Sequence, residues 1–158
     1  MKFSLLLFLF AISFNNVFSQ VNLLTLNKLD LRLEQGKDTV YVVNFWATWC
    51  APCVKELPNF EKLNADYKNQ PLKVILLSLD FKSKLEKVVE PFVVKKGLKS
   101  EVFLLNEKSE QEYINRISKE WSGALPATLI INPKKKTRKF YEQEFTFEEL
   151  EKTYLLNK

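Results

Sequence analysis

The sequence contains no histidine and only two cysteines, Cys50 and Cys53, in 158 residues. A zinc site needs four nitrogen or sulfur ligands, which this chain cannot supply, so no metal is expected. The lack of histidine also excludes Cys-His and Ser-His nucleophile pairs. No internal repeat or low-complexity segment is present, and the length suits one compact domain. The chemistry left to such a chain is that of its two thiols.

Charge is only mildly unbalanced, with a formal net charge of +5 to which Lys2 contributes one. The basic run KKKTRK at residues 134–139 could be a patch for nucleic acid or an anionic surface. It follows Asn132-Pro133 between two strand-like segments, which favours a solvated hairpin turn. We therefore expect no nucleic-acid partner.

Residues 1–19 are typical of a secretory signal peptide. Met1-Lys2 precedes the apolar stretch FSLLLFLFAISF, which is too short to span a bilayer well, and cleavage is predicted after Ser19. The alternative is an uncleaved N-terminal anchor. Cleavage would leave a domain of residues 20–158 in the periplasm or cell envelope, where a lone pair of cysteines could also be a static disulfide.

The chain is organised around residues 40–58, VYVVNFWATWCAPCVKELP. The β-branched run predicts a buried strand, and the pattern after Cys53 predicts a helix over residues 52–67 that bends at Pro58. The cysteine pair therefore lies at a helix N-terminus, where the helix dipole and free N–H groups should lower the pKa of the Cys50 thiol below about 8.5. Cys53 shares the inward face of the helix, so Cys50 should be the accessible sulfur.

The remaining pattern alternates strands with helices and ends in a hairpin and a helix. It predicts an α/β fold with a mixed sheet covered by helices on both faces. Residues 27–37 fit a helix or a strand equally well. Strands are predicted at 20–26, 39–45, 72–79, 102–105, 128–131 and 139–145, and helices at 52–67, at 83–96 with an interruption at Pro91, at 110–121 and after the cap Thr146.

Three motifs together resemble a known family: VVNFWATWCAPC, the Glu56-Leu57-Pro58 that follows it, and ALPATLIIN. They are similar to the thioredoxin fold, most closely to TlpA/ResA-like thiol-disulfide oxidoreductases of the bacterial cell envelope. The resemblance extends over residues 23–156. It implies a thioredoxin fold with an N-terminal extension and a helical insertion. A bare CxxC is a weak motif, but its flanks make this one specific.

The resemblance implies that Cys50 attacks a partner's disulfide and that Cys53 resolves the mixed disulfide. Glu56 matches an acidic residue of the family that would exchange a proton with Cys53, although a solvated helix charge is the alternative. Thioredoxin itself carries a buried aspartate six residues before its first cysteine, and this chain has Asn44 there. Glu56 is therefore the candidate carboxylate.

The substrate-binding residues implied by the resemblance are Trp49, Leu125 and Pro126. The bond before Pro126 is expected to be cis, which would turn the Leu125 backbone toward a bound peptide, whereas a trans proline opening an edge strand is the alternative. Trp46 and Trp121 are expected to join Trp49 around Cys50, unless these aromatic rings belong to the core.

Ala51-Pro52 offers no histidine to stabilise a thiolate, which favours a reductant over an oxidant. Its partners would be disulfides of exported proteins, for example apocytochrome c, with a membrane electron donor for recharging. No cofactor is expected beyond the Cys50–Cys53 disulfide. Two alternatives remain. A peroxidase of the same fold would need a threonine-bearing loop ahead of a single peroxidatic cysteine, which this sequence does not show; the other alternative is a redox-inert binding module with a static disulfide.

Overall fold

The computed structural model describes residues 21–158, so the predicted signal peptide lies outside the described residues. Within them, none of the helices combines the length and the apolar character needed to cross a bilayer. The strands are β1 Asn22–Leu24, β2 Val40–Trp46, β3 Leu72–Ser78, β4 Glu101–Leu105, β5 Ala127–Asn132 and β6 Thr137–Tyr141, and the helices are α1 Leu26–Gln35, α2 Ala51–Asp66, α3 Glu90–Lys96, α4 Glu110–Ile117 and α5 Phe147–Asn157.

The strands form one mixed sheet in the order β1-β4-β3-β2-β5-β6. The first four of these are parallel, while β5 is antiparallel to β2 and β6 is antiparallel to β5. All seven residues of β2 are buried, which explains its continuous apolar run. The predicted mixed sheet is confirmed, and the strand that leads to Cys50 lies near its centre.

Helices cover both faces of the sheet because successive side chains of β2 point to opposite faces. Val42 and Trp46 belong to a core cluster with residues of α2, α3 and α5. Val43 and Phe45 belong to a second cluster with residues of α1 and α4. The cysteines and Glu56 lie on α2, on the first of these faces.

The segment that the sequence left undecided is α1. Leu26, Leu29 and Leu33 are buried at helical spacing, whereas Leu31 is 57% exposed. The helix begins after Thr25, whose side chain accepts a hydrogen bond from the Lys28 N–H. The sequence pattern did not distinguish a helix from a strand here. The packing of one apolar face against the sheet is what makes this segment a helix.

The helical insertion comprises a 3₁₀ turn, Lys82–Lys84, a π-helical turn, Leu85–Val89, and α3. Pro91 lies in the first turn of α3, where its missing N–H costs no helical hydrogen bond. Gly97 ends α3 in the left-handed conformation with φ 64°. The predicted helical region and its closure at Gly97 are confirmed. The predicted interruption at Pro91 is wrong, because α3 continues directly from the π-helical turn and Pro91 lies within its first turn.

Two predicted boundaries near the C-terminus are wrong. Helix α4 ends at Ile117 because Ser118 is extended, which leaves Trp121 outside the helix. The last strand is β6 rather than residues 139–145, because Thr137 pairs with Asn132 across the turn. That pairing places residues 134–136 in the predicted hairpin turn. The cap Thr146 and its capping box with Glu149 are confirmed.

Candidate active site

The site is a disulfide between Cys50 and Cys53 at the N-terminus of α2. The two sulfurs are 2.05 Å apart and the two Cα atoms 5.3 Å apart. Cys50 is the N-cap of the helix, and its Sγ accepts a hydrogen bond from the Cys53 N–H at 3.3 Å. Strand β2 and helix α2 thus place the pair where free N–H groups and the helix dipole favour a negative charge.

The two cysteines differ in exposure, though less than predicted. Cys53 is fully buried and Cys50 is 6% exposed. Both belong to the core cluster that includes Trp46 and Leu57. Cys50 is the less buried of the two, as predicted, but it exposes only a small part of its area in the disulfide form.

Glu56 is fully buried, one helical turn after Cys53. Its carboxylate accepts hydrogen bonds from Asn44 Nδ2 and from the Phe145 N–H, each at 2.8 Å. Burial raises the pKa of Glu56 to about 7, the two N–H donors oppose this rise, and the negative charge of Glu144 adds to it. Glu56 is therefore not a solvated helix charge.

Asn44 connects three elements at the centre of the site. Besides its bond to Glu56 on α2, its Nδ2 lies 3.3 Å from Thr128 Oγ1 and 3.4 Å from the Ala127 carbonyl oxygen on β5. Sequence reasoning noted the amide at this position but not its contact with Glu56. The signal was the polar residue inside an otherwise apolar strand.

Pro126 immediately precedes β5, the strand beside β2. The Leu125–Pro126 peptide bond is cis, as the resemblance implied. Pro126 is buried and Leu125 is partly exposed. Trp121 fixes the loop ahead of them, since its Nε1 donates to the Ala124 carbonyl oxygen at 2.8 Å.

Of the three tryptophans, only Trp49 lies on the surface beside Cys50, with 68% of its area exposed. Trp46 is fully buried and Trp121 is 4% exposed. Trp46 packs against Phe92, and Trp121 packs against Phe45. Of the two alternatives for Trp46 and Trp121, the structure supports the core: Trp46 is buried in the cluster that contains the cysteines, and Trp121 is buried on the other face of the sheet.

A groove of about 400 Å³ lies beside Trp49, the residue before Cys50, and neither cysteine is among its lining residues. Its lining is mixed: the apolar part includes Trp49, Leu79, Phe81, Leu105, Tyr113 and Leu125, and the charged part includes Asp80, Lys82, Glu107, Lys108 and Glu110. Phe81 is 78% exposed, so it and Trp49 present two large aromatic side chains to solvent at one groove. Sequence reasoning missed Phe81, because an exposed aromatic residue has no periodic signature.

A CxxC disulfide at the start of the helix that follows a central strand, with a cis-proline leading into the neighbouring antiparallel strand, defines a protein of the thioredoxin fold. The chain belongs to the AhpC/TSA family, whose model matches residues 15–140.

Its relatives confirm the resemblance inferred from the motifs. The chain is 32% identical over 104 residues to the thiol-disulfide oxidoreductase ResA of Halalkalibacterium halodurans, covering 66% of this chain and 53% of that protein. It is 31% identical over 117 residues to ResA of Oceanobacillus iheyensis, covering 74% and 55%. The chain thus spans about half the length of these curated relatives.

A solved structure supports the fold. The thioredoxin-related protein of Neisseria meningitidis serogroup B superposes with a TM-score of 0.66 at 24% identity. The match covers 77% of this chain and 86% of that one. At this identity the similarity concerns the fold, and any activity has to be argued from the site itself.

Proposed function

We propose that this protein is an exported thiol-disulfide oxidoreductase that reduces disulfides of envelope proteins. The observation that carries the proposal is the Cys50–Cys53 disulfide at the N-terminus of α2, with Cys50 as the helix N-cap. A thiolate is the reactive form of cysteine, and the helix N-terminus stabilises it. The names of the ResA relatives agree with this chemistry.

The reaction transfers two electrons to the client in two exchange steps. In the reduced protein, the Cys50 thiolate attacks one sulfur of the client disulfide, forms a mixed disulfide and releases one client thiolate. The Cys53 sulfur, deprotonated as it reacts, then attacks Cys50 Sγ. This step forms the Cys50–Cys53 bond and releases the second client thiolate. The client gains the two electrons that the protein dithiol loses.

Glu56 is proposed to take the proton from Cys53 in the second step. It lies one turn from Cys53 on the same helix and is buried with it. Its pKa of about 7 allows a carboxyl group to accept and release a proton near neutral pH. The Asn44 and Phe145 N–H groups hold the carboxylate in place while it does so.

A static disulfide is the less favourable alternative for this pair. The two cysteines are three residues apart. A structural disulfide gains most by closing a long loop in the unfolded chain, and this one closes almost none. Its position at a helix N-terminus, directly after the exposed Trp49 that lines the groove, instead supports exchange with other proteins.

The groove is proposed to receive the client segment that carries the reacting disulfide. Trp49 and Leu125, which line the groove, and Pro126, which follows Leu125, would contact that segment near Cys50. The apolar side chains of the lining favour a client with a bulky apolar side chain near its cysteine. Exposed aromatic rings gain binding energy when a partner covers them.

The direction, clients and location rest on the sequence. Ala51-Pro52 holds no cation to stabilise the reduced form, which supports a reductant. Apocytochrome c is a proposed client and a membrane electron donor the proposed source of electrons.

The apolar residues 1–19 support export to the periplasm or cell envelope. Fractionation of cells and N-terminal sequencing of the mature protein test this, and an N-terminus at Gln20 is expected.

Insulin reduction with dithiothreitol as electron source tests the activity. The wild-type protein should accelerate precipitation of the insulin B chain, and Cys50→Ser should abolish the acceleration. Equal rates for the two proteins would contradict the proposal.

In a glutathione or dithiothreitol redox titration, a redox-inert module would stay oxidised below about −300 mV. Consumption of hydrogen peroxide faster than that of insulin disulfides would favour the peroxidase alternative.

Trapping identifies the client and the direction. The Cys53→Ala variant should accumulate a mixed disulfide through Cys50, because the resolving thiol is absent. The matched control is the Cys50→Ser variant, which retains Cys53 and should trap almost nothing, because Cys53 is fully buried whereas Cys50 keeps some exposed area at the helix N-terminus. Equal trapping by both variants would show that the assigned roles of the two cysteines are wrong.

A further inference from the structure

The turn that connects β2 to Cys50 is hydrogen-bonded to residues that follow β3. The Leu79 N–H donates to the Trp46 carbonyl oxygen at 2.8 Å, and the Cys50 N–H donates to the Ala47 carbonyl oxygen at 3.1 Å. Trp46 is in register with Ser78 in the parallel pair β2 and β3. Thr48 and Asp80 therefore lie equally far beyond the ends of two adjacent strands.

Asp80 uses both carboxylate oxygens in this region. Its Oδ1 accepts from Thr48 Oγ1 at 2.7 Å, and its Oδ2 accepts from the Thr48 N–H at 2.9 Å. Oδ2 also accepts from Ser78 Oγ at 2.8 Å, and Ser78 Oγ in turn accepts from the Asp80 N–H at 3.1 Å. Asp80 is only 5% exposed, so water contributes little to its solvation.

These bonds fix more than the side chain of Asp80. Hydrogen bonds to an ionised acceptor are roughly twice as strong as neutral ones, and two of the three bonds end on one residue, Thr48. The backbone N–H and the hydroxyl of Thr48 are thus both bound. Thr48 lies two residues before Cys50, inside the turn that the Cys50 N–H closes. The two hydrogen bonds of Thr48 therefore restrain the turn that leads to Cys50.

We propose that Asp80 is a positioning residue for Cys50, through the bidentate contact with Thr48, which we call the Asp80–Thr48 clamp. The clamp holds Cys50 at the N-cap of α2, where the helix stabilises its thiolate. It also fixes the start of the groove wall, because Phe81 follows Asp80 directly. This inference rests on the proposed function, in which Cys50 is the attacking thiol.

The test measures the reactivity of Cys50 alone, in a Cys53→Ser background. The second-order rate of alkylation by iodoacetamide, followed from pH 5 to pH 10, yields both the rate at pH 7 and the pKa of the Cys50 thiol. Asp80→Ala removes the clamp and should slow alkylation at pH 7 about tenfold while raising that pKa, because Cys50 leaves its place on the helix.

Two further variants separate position from charge. Asp80→Asn keeps the clamp without the charge, since its amide oxygen can accept from the Thr48 N–H and its amide nitrogen can donate to the Thr48 hydroxyl. It should react at least half as fast as the parent. Thr48→Val keeps the charge but loses the hydroxyl bond, and should slow alkylation about threefold, less than Asp80→Ala. The other charged residues of this region, Lys55 and Glu56 of α2, Lys82 and Glu144, are unchanged in every variant. They therefore do not contribute to the differences between variants.

The alternative to positioning is a simple effect of charge. Removing a negative charge near a thiol favours the thiolate, so a charge effect would lower the pKa of Cys50 and speed alkylation in both Asp80 variants. The two explanations thus predict opposite signs for Asp80→Ala. A pKa equal to or below that of the parent in Asp80→Ala, or an Asp80→Asn variant as slow as Asp80→Ala, would overturn the proposal.

Controls keep the result interpretable. Asp66→Ala changes an aspartate on the surface of α2 that pairs with Lys62 and should leave Cys50 reactivity unchanged. If Asp80→Ala does not fold, parent-like alkylation in Thr48→Val would still refute the clamp. Insulin reduction is scored separately: an inactive wild-type protein whose Cys50 pKa follows these predictions would contradict the proposed function and leave the clamp standing.

Discussion

The stability of the wild-type protein should depend on pH between pH 4.5 and 7 because of Glu56. Replacing Glu56 by glutamine is expected to remove this contribution. Burial raises the pKa of Glu56 from 4.5 to about 7 in the folded protein. Between these two values the folded state keeps a proton that the unfolded state has lost. Raising the pH across this window therefore destabilises the wild-type protein, and the effect is complete above pH 7.

The size of the effect follows from the displacement of the pKa. Each unit corresponds to about 1.4 kcal/mol, so the shift from 4.5 to about 7 corresponds to about 3 kcal/mol. Glutamine has nearly the same shape and carries no charge at any pH. Its amide nitrogen cannot accept from Asn44 Nδ2 or the Phe145 N–H, so the variant loses one hydrogen bond at every pH, which adds a constant cost. Relative to the wild-type protein, the free energy of unfolding of Glu56→Gln should therefore rise by about 3 kcal/mol between pH 4 and pH 8.

Guanidinium unfolding of the disulfide form at a series of pH values measures this difference. The matched control is Glu86→Gln, which changes an exposed glutamate of the insertion. The free energy of unfolding of each variant is subtracted from that of the wild-type protein at the same pH. The contributions of all other titrating groups cancel in this difference. A Glu56→Gln difference that stays constant within about 0.5 kcal/mol from pH 4 to pH 8, or that grows toward acid pH, would refute the reasoning.

Three further changes test other parts of the structure. Thr146→Ala removes the capping box of α5 and should lower the free energy of unfolding by about 1 kcal/mol, whereas Thr146→Ser should lose much less; equal losses would contradict the capping role. Gly97→Ala should cost about 1 kcal/mol although no atom lies within 4 Å of the added Cβ, because φ is 64°; a neutral result in denaturant unfolding would argue against backbone strain. Phe81→Ser should raise the KM for insulin about threefold with kcat retained, and an unchanged KM would remove Phe81 from the client surface.

Local patterns were sufficient for the elements around the cysteines. The buried run of β2 and the three-to-four spacing of Leu57, Phe60 and Leu63 placed strand and helix within one residue of their bounds. Boundaries failed where distant partners decide them. Strand β6 begins at Thr137 because of its pairing with Asn132, which no local periodicity reveals.

The same distinction holds within the site. Cys50, Cys53 and Glu56 follow one another on the first turns of one helix, so spacing alone brings them together. The partners that hold them come from elsewhere: Asn44 is 12 residues from Glu56, and Asp80 is 32 residues from Thr48. Those contacts depend on the register of β2 against β3 and on the packing of α2, which a sequence without its sheet pairing does not specify.

Among residues 21–158, strand β6 is the outermost strand on one side of the sheet, and an edge strand leaves the backbone groups of its outer side without a neighbouring strand. Two exposed cations, Arg138 and Lys139, lie on it, and three exposed lysines, at positions 134–136, lie in the turn before it. Pairing of β6 with β6 of a second molecule would bring these positive charges close to the same charges of the other molecule. Their mutual repulsion opposes intermolecular strand addition at this edge.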